Sequence, residues 1–423
     1  MQKLDAGKLD LRNIVRPGDT IIWGQACAEP LTLTEALMAQ RADLGGITVF
    51  LGSGFSDTLR PEYNDHIRFL GMGAVGSNRR LAKAGVLDVL PCHVSKMESY
   101  VADGIIPCDV AFVQVAPRDE TGHFSLGLAS DYIRAAVRRA RVVVAEMNVN
   151  VPQVPCVEPL TADDIDFLVE SDRPLVELPP AAITDLDRTI SGFAQAYIPD
   201  RATLQVGIGS VPEAVMSDLR SRRDLGIHSG MLGDSVVDLV EAGAISNAYK
   251  EVDPGISVTG ALIGTRRLFD FCHRNKSVRM HPLSHTHNFA VLSQLSRFVS
   301  LNSAVEVDLT GQVNAESAGG QYVGAVGGQV DYVRAAAASP GGHSIIALPS
   351  TAQNGAVSRI VARLSGPVTT ARSDVDVIIT EFGAANLQGK TLSQRTRTLI
   401  EIAHPAHRES LDRAVHAAGK SSA

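Results

Sequence analysis

The chain has no apolar run approaching the roughly 20 residues that a bilayer-spanning helix needs. Its N-terminus, MQKLDAGKLDLRNIVRPGD, has neither the long apolar stretch nor the small-residue cleavage site of a secretory signal. Dense Lys/Arg runs are missing too. A formal net charge of -7 and an isoelectric point near 6.0 argue against a nucleic-acid or anionic-membrane partner. Cysteine is scarce: Cys27, Cys92, Cys108, Cys156 and Cys272 are odd in number and scattered, with no CxxC or Cys/His ligand spacing. That pattern fits a reducing compartment and no structural zinc, with the thiols serving as small buried hydrophobes. What remains is a cytoplasmic chain that handles small molecules.

What is present in quantity is length and apolar residues. At 423 residues with 45% hydrophobic composition, the chain exceeds what one core usually supports, so two domains are expected. Short β-branched runs at 20–23, 47–51, 110–115 and 142–145 alternate with amphipathic helical patterns at 34–40 and 131–141. This alternation predicts an α/β fold. Around 170–185 the texture changes to ESDRPLVELPPAAITD, where Pro174, Pro179 and Pro180 favour an extended linker. Strand patterns then resume at 203–206, 256–259, 298–301, 344–348 and 375–380, and a charged helical tail covers 392–418. The expected division is 1–180 and 186–423.

Two glycine-rich turns stand out. In Gln205-Val206-Gly207-Ile208-Gly209-Ser210-Val211-Pro212 a strand pattern meets a tight turn and a helix start. Gly207 and Gly209 would let the backbone turn sharply and present unpaired N–H groups to an anion or polarised carbonyl. The second, Gly324-Ala325-Val326-Gly327-Gly328-Gln329-Val330-Asp331-Tyr332, follows a long segment from Asn302 to Asn314.

Residues 225–247, LGIHSGMLGDSVVDLVEAGAISN, resemble the signature of the acetyl-CoA hydrolase/transferase family, the class I CoA-transferases, and are most similar to its 4-hydroxybutyrate CoA-transferase branch. Ala28-Glu29-Pro30, the segment from Asp119 to Gly127, Ala145-Glu146-Met147-Asn148, Leu348-Pro349-Ser350, Thr380-Glu381-Phe382-Gly383 and Ala403-His404-Pro405 extend the resemblance over nearly the whole chain. The resemblance implies two open α/β domains with the active site in the cleft between them, and a dimer or other homo-oligomer. It also implies coenzyme A or acyl-CoA as substrate, a small carboxylate as second substrate, and no permanently bound cofactor. The second glycine turn resembles the family's GxGGxxDF element, which implies that Gly327, Gly328 and Gln329 hold CoA and direct N–H donors at the thioester oxygen.

One position departs from the family. Where its members carry the glutamate that attacks the thioester, three residues after Ile227, this chain has Gly230. Three readings stay open: CoA transfer by a substitute carboxylate or by the acceptor itself, thioester hydrolysis by water in the space at Gly230, and acyl-CoA binding without turnover. Glu62 is the first substitute candidate and Asp57 the second, both on a loop after a glycine-rich strand end, and His228 is the candidate base for water. By resemblance His287 lies near the substrate carboxylate. His281, His285 and His287 fall within seven positions, but no cysteine or paired carboxylate completes a ligand set, so no metal is expected. Arg266-Arg267 is read as a solvated pair, with contact to CoA phosphates as the alternative.

Overall fold

The structure is a computed structural model and describes residues 1–420, with side chains through residue 417. Eight strands, β1 (Gln2–Leu4), β2 (Thr20–Trp23), β3 (Ile47–Leu51), β4 (Ile67–Gly71), β5 (Leu87–Val89), β6 (Val110–Val115), β7 (Val142–Asn148) and β8 (Phe167–Ser171), form one parallel sheet. Their order is β1-β8-β7-β6-β2-β3-β4-β5. The central strand β6, VAFVQV, is buried at every position, as expected of a parallel strand covered on both faces. Alternate side chains feed two cores. Ala111, Val113 and Val115 pack with Met97, Phe124 and Tyr132, while Val110 and Phe112 pack with Leu33 and Leu37 of helix α1 (Leu31–Gln40). The N-terminus of α1 is held by buried Glu146, which accepts from the Thr32 N–H at 2.8 Å and its hydroxyl at 2.9 Å. The expected helix at 131–141 forms as α2 (Ile133–Arg139).

After β8 the chain runs without helix or strand to α3 (Asp185–Ala194), across the proline-rich stretch. The second sheet contains β9 (Thr203–Val206), β10 (Gly226–Ile227), β11 (Phe298–Asn302), β12 (His343–Ala347), β13 (Val377–Thr380) and β14 (Gly383–Asn386), ordered β10-β9-β11-β12-β13-β14. Only the last pairing is antiparallel. Each sheet draws on one half of the sequence, and we propose 1–180 and 186–423 as two domains on that basis.

Two expectations need correction. Residues 256–259 do not join the second sheet: Ser257–Thr259 pairs with Val278–Met280 in a separate two-stranded ladder. The tail is two helices, α6 (Leu392–Ile402) and α7 (Pro405–Lys420), because Pro405 disfavours helical backbone at His404. Among the described residues no helix is long and apolar enough to cross a membrane.

The halves share one core, with Cys27, Leu128 and Val154 packing against Leu204, Leu262 and Met280. Backbone bonds also cross between them: Leu262 N donates to Leu128 O at 2.8 Å, Ala74 N to Gly324 O at 2.8 Å and Val94 N to Gly327 O at 3.0 Å. These crossings fix the start of α5 (Gln329–Ala338), which follows Gly328 and carries Tyr332. Tyr332 in turn packs against fully buried Phe298 of β11, with ring centroids 6.2 Å apart. Phe298→Ala should therefore cost about 3–5 kcal/mol by cavity formation and free the Tyr332 ring. The first effect is measurable by urea unfolding and the second by tyrosine fluorescence anisotropy of the folded variant.

Candidate active site

Four residues from three chain segments meet at Gly230. A Cβ built on Gly230 would lie 2.5 Å from His287 Cε1, 2.9 Å from His287 Nε2 and 2.9 Å from the Tyr332 hydroxyl. One built on Gly328 would lie 2.6 Å from His287 Nε2. The His287 imidazole thus fills the space that a side chain at 230 would enter and separates it from the glycine turn at 327–328. His287 and Tyr332 stack obliquely, with centroids 4.6 Å apart. The Tyr332 hydroxyl is buried and faces the Gly230 backbone, without a hydrogen bond of good geometry among the described residues.

The environment keeps His287 neutral. Burial alone pushes its imidazole down to about 3. Thr286 Oγ1 lies 3.0 Å from His287 Nδ1 and 3.3 Å from the Pro282 carbonyl. Both contacts are satisfied at once when Nδ1 carries the proton: it donates to Oγ1, and the hydroxyl donates to the carbonyl. This network assigns the tautomer and leaves the Nε2 lone pair facing Gly230 and Gly328.

The residues flanking Gly230 open onto a cleft of about 310 Å³ between the halves. Phe55, Val75 and Arg79 come from the first half and Leu178 to Ala181 from the linker; Gly207 to Gly209, Glu213, Ser229 and Met231 come from the second. Gly209 has φ 127°, a conformation that favours glycine, and caps helix α4 (Ser210–Asp218), whose start therefore lies at the cleft. The second turn depends on Gly327, with φ 64°. Among the described residues no acceptor is found for the N–H groups of Gly327 and Gly328. The two turns are tied through the end of β11: Gly207 N donates to Leu301 O at 2.9 Å, and Gln329 Nε2 donates to Ser303 O at 3.0 Å.

Gly207 and Gly209 line the cleft, while Gly230, Gly328 and His287 are in mutual contact beside Ser229 and Met231 of its lining. Other sequence candidates lie elsewhere or have other work. Glu62 is a surface carboxylate with its side chain 61% exposed, facing Arg60 at 4.0 Å. Asp57 is 97% exposed and paired with Arg80. A loop beyond a glycine-rich strand end is turned to solvent here, which removes both as neighbours of Gly230. His228 is fully buried, with its ring 5.3 Å from that of His285. Gln329 is a brace: Ser303 O accepts from its Nε2, and its Oε1 accepts from the Thr370 hydroxyl at 3.0 Å. Arg266 and Arg267 pair with Asp270, Asp238 and Glu241 on the surface. Glu381 accepts from the Ser350 N–H and hydroxyl.

Tyr332 closes the second glycine-rich element, but its packing against Gly230 was not foreseen; Thr286 and Glu213 escaped the sequence reading, and Thr286 is brought in by tertiary packing, for which no local signal exists. Glu213 lines the cleft, and burial raises its carboxyl. Its place in the first turn of the helix after Gly209 was the available signal.

Comparison with known proteins follows the same geometry. Residues 5–178 match the acetyl-CoA hydrolase/transferase N-terminal domain and residues 264–415 the C-terminal domain. A 4-hydroxybutyrate coenzyme A transferase of Clostridium kluyveri is 39% identical over 395 residues, covering 92% of each chain. The crystal structure of RipA from Yersinia pestis superposes with a TM-score of 0.93 at 32% identity, over 99% of this chain and 98% of that one. A 4-hydroxybutyrate CoA-transferase structure from Porphyromonas gingivalis gives 0.84 at 34% identity, over 98% and 97%.

Gly230→Glu alone should destabilise the chain by about 1–3 kcal/mol through overpacking against His287 and Tyr332 and should form no acyl adduct. Combined with His287→Gly, the same glutamate gains room, and a borohydride-trapped adduct should appear at position 230 by peptide mass spectrometry. The pH dependence has a definite sign. With His287 lowered from 6.5 to about 3, the unfolded chain binds more protons between these values. Stability therefore falls as pH drops below 6.5. His287→Asn should remove up to about 2 kcal/mol of the loss between pH 7 and pH 5, read from urea midpoints at the two pH values.

Proposed function

The chain belongs to the acetyl-CoA hydrolase/transferase family, and from that premise we propose that it moves CoA from an acyl-CoA to a small carboxylic acid without a glutamyl intermediate. The observation that carries this reading is the His287 imidazole against Gly230: the position where a family glutamate would reach the thioester is closed, while the cleft and both glycine turns are kept. The acceptor acid then supplies the nucleophile. Its carboxylate oxygen attacks the thioester carbon, the charge moves to the carbonyl oxygen, and the thiolate of CoA leaves, giving an anhydride of the two acids. The thiolate next attacks the acceptor's carbonyl, forming the new thioester and releasing the donor acid as a carboxylate.

The residues have stated tasks in this scheme. The N–H groups of Gly327 and Gly328 and the Tyr332 hydroxyl stabilise the oxyanion, an effect worth several kcal/mol where water is excluded. Phe55, Leu178, Met231 and Ile263 give the cleft an apolar wall suited to a short acyl chain. Neutral His287 excludes water from the rear of the site. The five free cysteines, four of them buried, suit the reducing cytoplasm.

A second reading is favoured by one observation. The relay from His287 Nδ1 through Thr286 leaves Nε2 able to accept a proton, so a water admitted beside Gly328 would find a base there and the thioester would be hydrolysed. Initial rates measured over a grid of acyl-CoA and carboxylate concentrations separate the readings. Direct transfer predicts intersecting double-reciprocal lines and no net thiol release without acceptor. Parallel lines would indicate a covalent enzyme intermediate, thiol release without acceptor would indicate hydrolysis, and absence of turnover would indicate binding alone.

A further inference from the structure

A second cluster of histidines lies behind the cleft wall and has no part in this chemistry. His228 is 0% exposed, and among the described residues neither of its ring nitrogens makes a hydrogen bond of good geometry, although the ring faces the His285 backbone. Leaving such groups unpaired in a protein interior is costly, which a bound ligand would relieve. His281 Nε2 is buried and unpartnered as well. The His281 ring stacks on His285 with centroids 4.0 Å apart, and His285 lies 5.3 Å from His228. A carboxylate absent from the local sequence pattern joins them: Asp253 Oδ2 is 2.7 Å from His285 Nε2.

We propose that His228, His285 and Asp253 form a three-donor binding site for a divalent transition-metal ion of the zinc class, with water completing the coordination. One ligand atom from each of the three lies within 4.8 Å of the others. A tetrahedral ion with bonds of about 2.1 Å holds its donors roughly 3.4 Å apart. Binding therefore requires the Asp253–His285 contact to open slightly and His228 to rotate inward. Imidazole and carboxylate donors suit zinc and its neighbours in the first transition series. Two cations stand nearby. Lys250 Nζ is committed to the carbonyls of Ile227 and Ile256, and Arg279 faces the other Asp253 oxygen, Oδ1, at 4.0 Å. Oδ2 stays on the imidazole side. The site would brace three segments together: the one carrying Gly230, the turn at Asp253, and the short helix leading to His287. This reverses the expectation of no metal, because the carboxylate that completes the set comes from a distant segment. It is independent of the CoA-transfer reading.

The test uses the full chain, stripped with dipicolinate, dialysed and titrated with Co²⁺. The proposal predicts saturation at about one ion per chain, the intense visible absorption of four-coordinate cobalt, and displacement by Zn²⁺. Asp253→Asn and His285→Gln should each weaken Co²⁺ binding by about tenfold or more while the metal-free proteins keep the parent's circular dichroism. Absence of saturable binding, or saturable binding that is unchanged in both well-folded variants, would overturn it.

Discussion

The packing of one imidazole against one glycine is the constraint on which the proposed chemistry depends. Position 230 has a backbone that a glutamate could adopt in isolation, but His287 lies where its Cβ would go. The same imidazole lies against Gly328, so the turn at Gly327-Gly328 and the segment around Gly230 are separated by a single side chain. Both glycines are required by that ring. Substituting either alone leaves two groups competing for one volume, and close-packed interiors tolerate that poorly.

The rest of the fold serves to hold this contact. Tyr332 reaches Gly230 because α5 begins at Gly328, and α5 begins there because Val94 and Ser303 fix the turn from two sides. His287 reaches it from a short helix whose Thr286 hydroxyl orients the ring. Phe298 then backs Tyr332 from the second sheet. Contacts from both halves are involved, so the site exists only when the two halves are docked. The buried strands and crossing backbone bonds make that docking part of the folded core rather than a loose hinge.

Much of the fold was legible because parallel α/β architecture writes itself locally. Buried strands such as Val110–Val115 are continuous apolar runs, and the proline-rich stretch before Asp185 cannot be regular structure. The proposed departure at Gly230 rests on one letter of a motif that resembles the family's, a kind of reading that needs no tertiary knowledge. What failed was long-range. Nothing near Gly230 in sequence announces that His287 fills its side-chain space, or that Asp253 completes a set with His228 and His285. Glu62 was chosen on a loop whose direction only the folded chain reveals. Ser257–Thr259 has a strand pattern, yet which strand it pairs with depends on Val278–Met280, beyond any local window.

Oxygen tracing tests the central claim most directly. A single turnover is run with enzyme in excess over acyl-CoA and with the acceptor acid labelled by ¹⁸O in both carboxylate oxygens. If the acceptor attacks the thioester itself, one labelled oxygen passes through the anhydride into the released donor acid, and the protein stays unlabelled. If a carboxylate of the chain is the nucleophile, the released acid is unlabelled and the ¹⁸O is found in one acidic side chain, which would contradict the account built on Gly230 and His287.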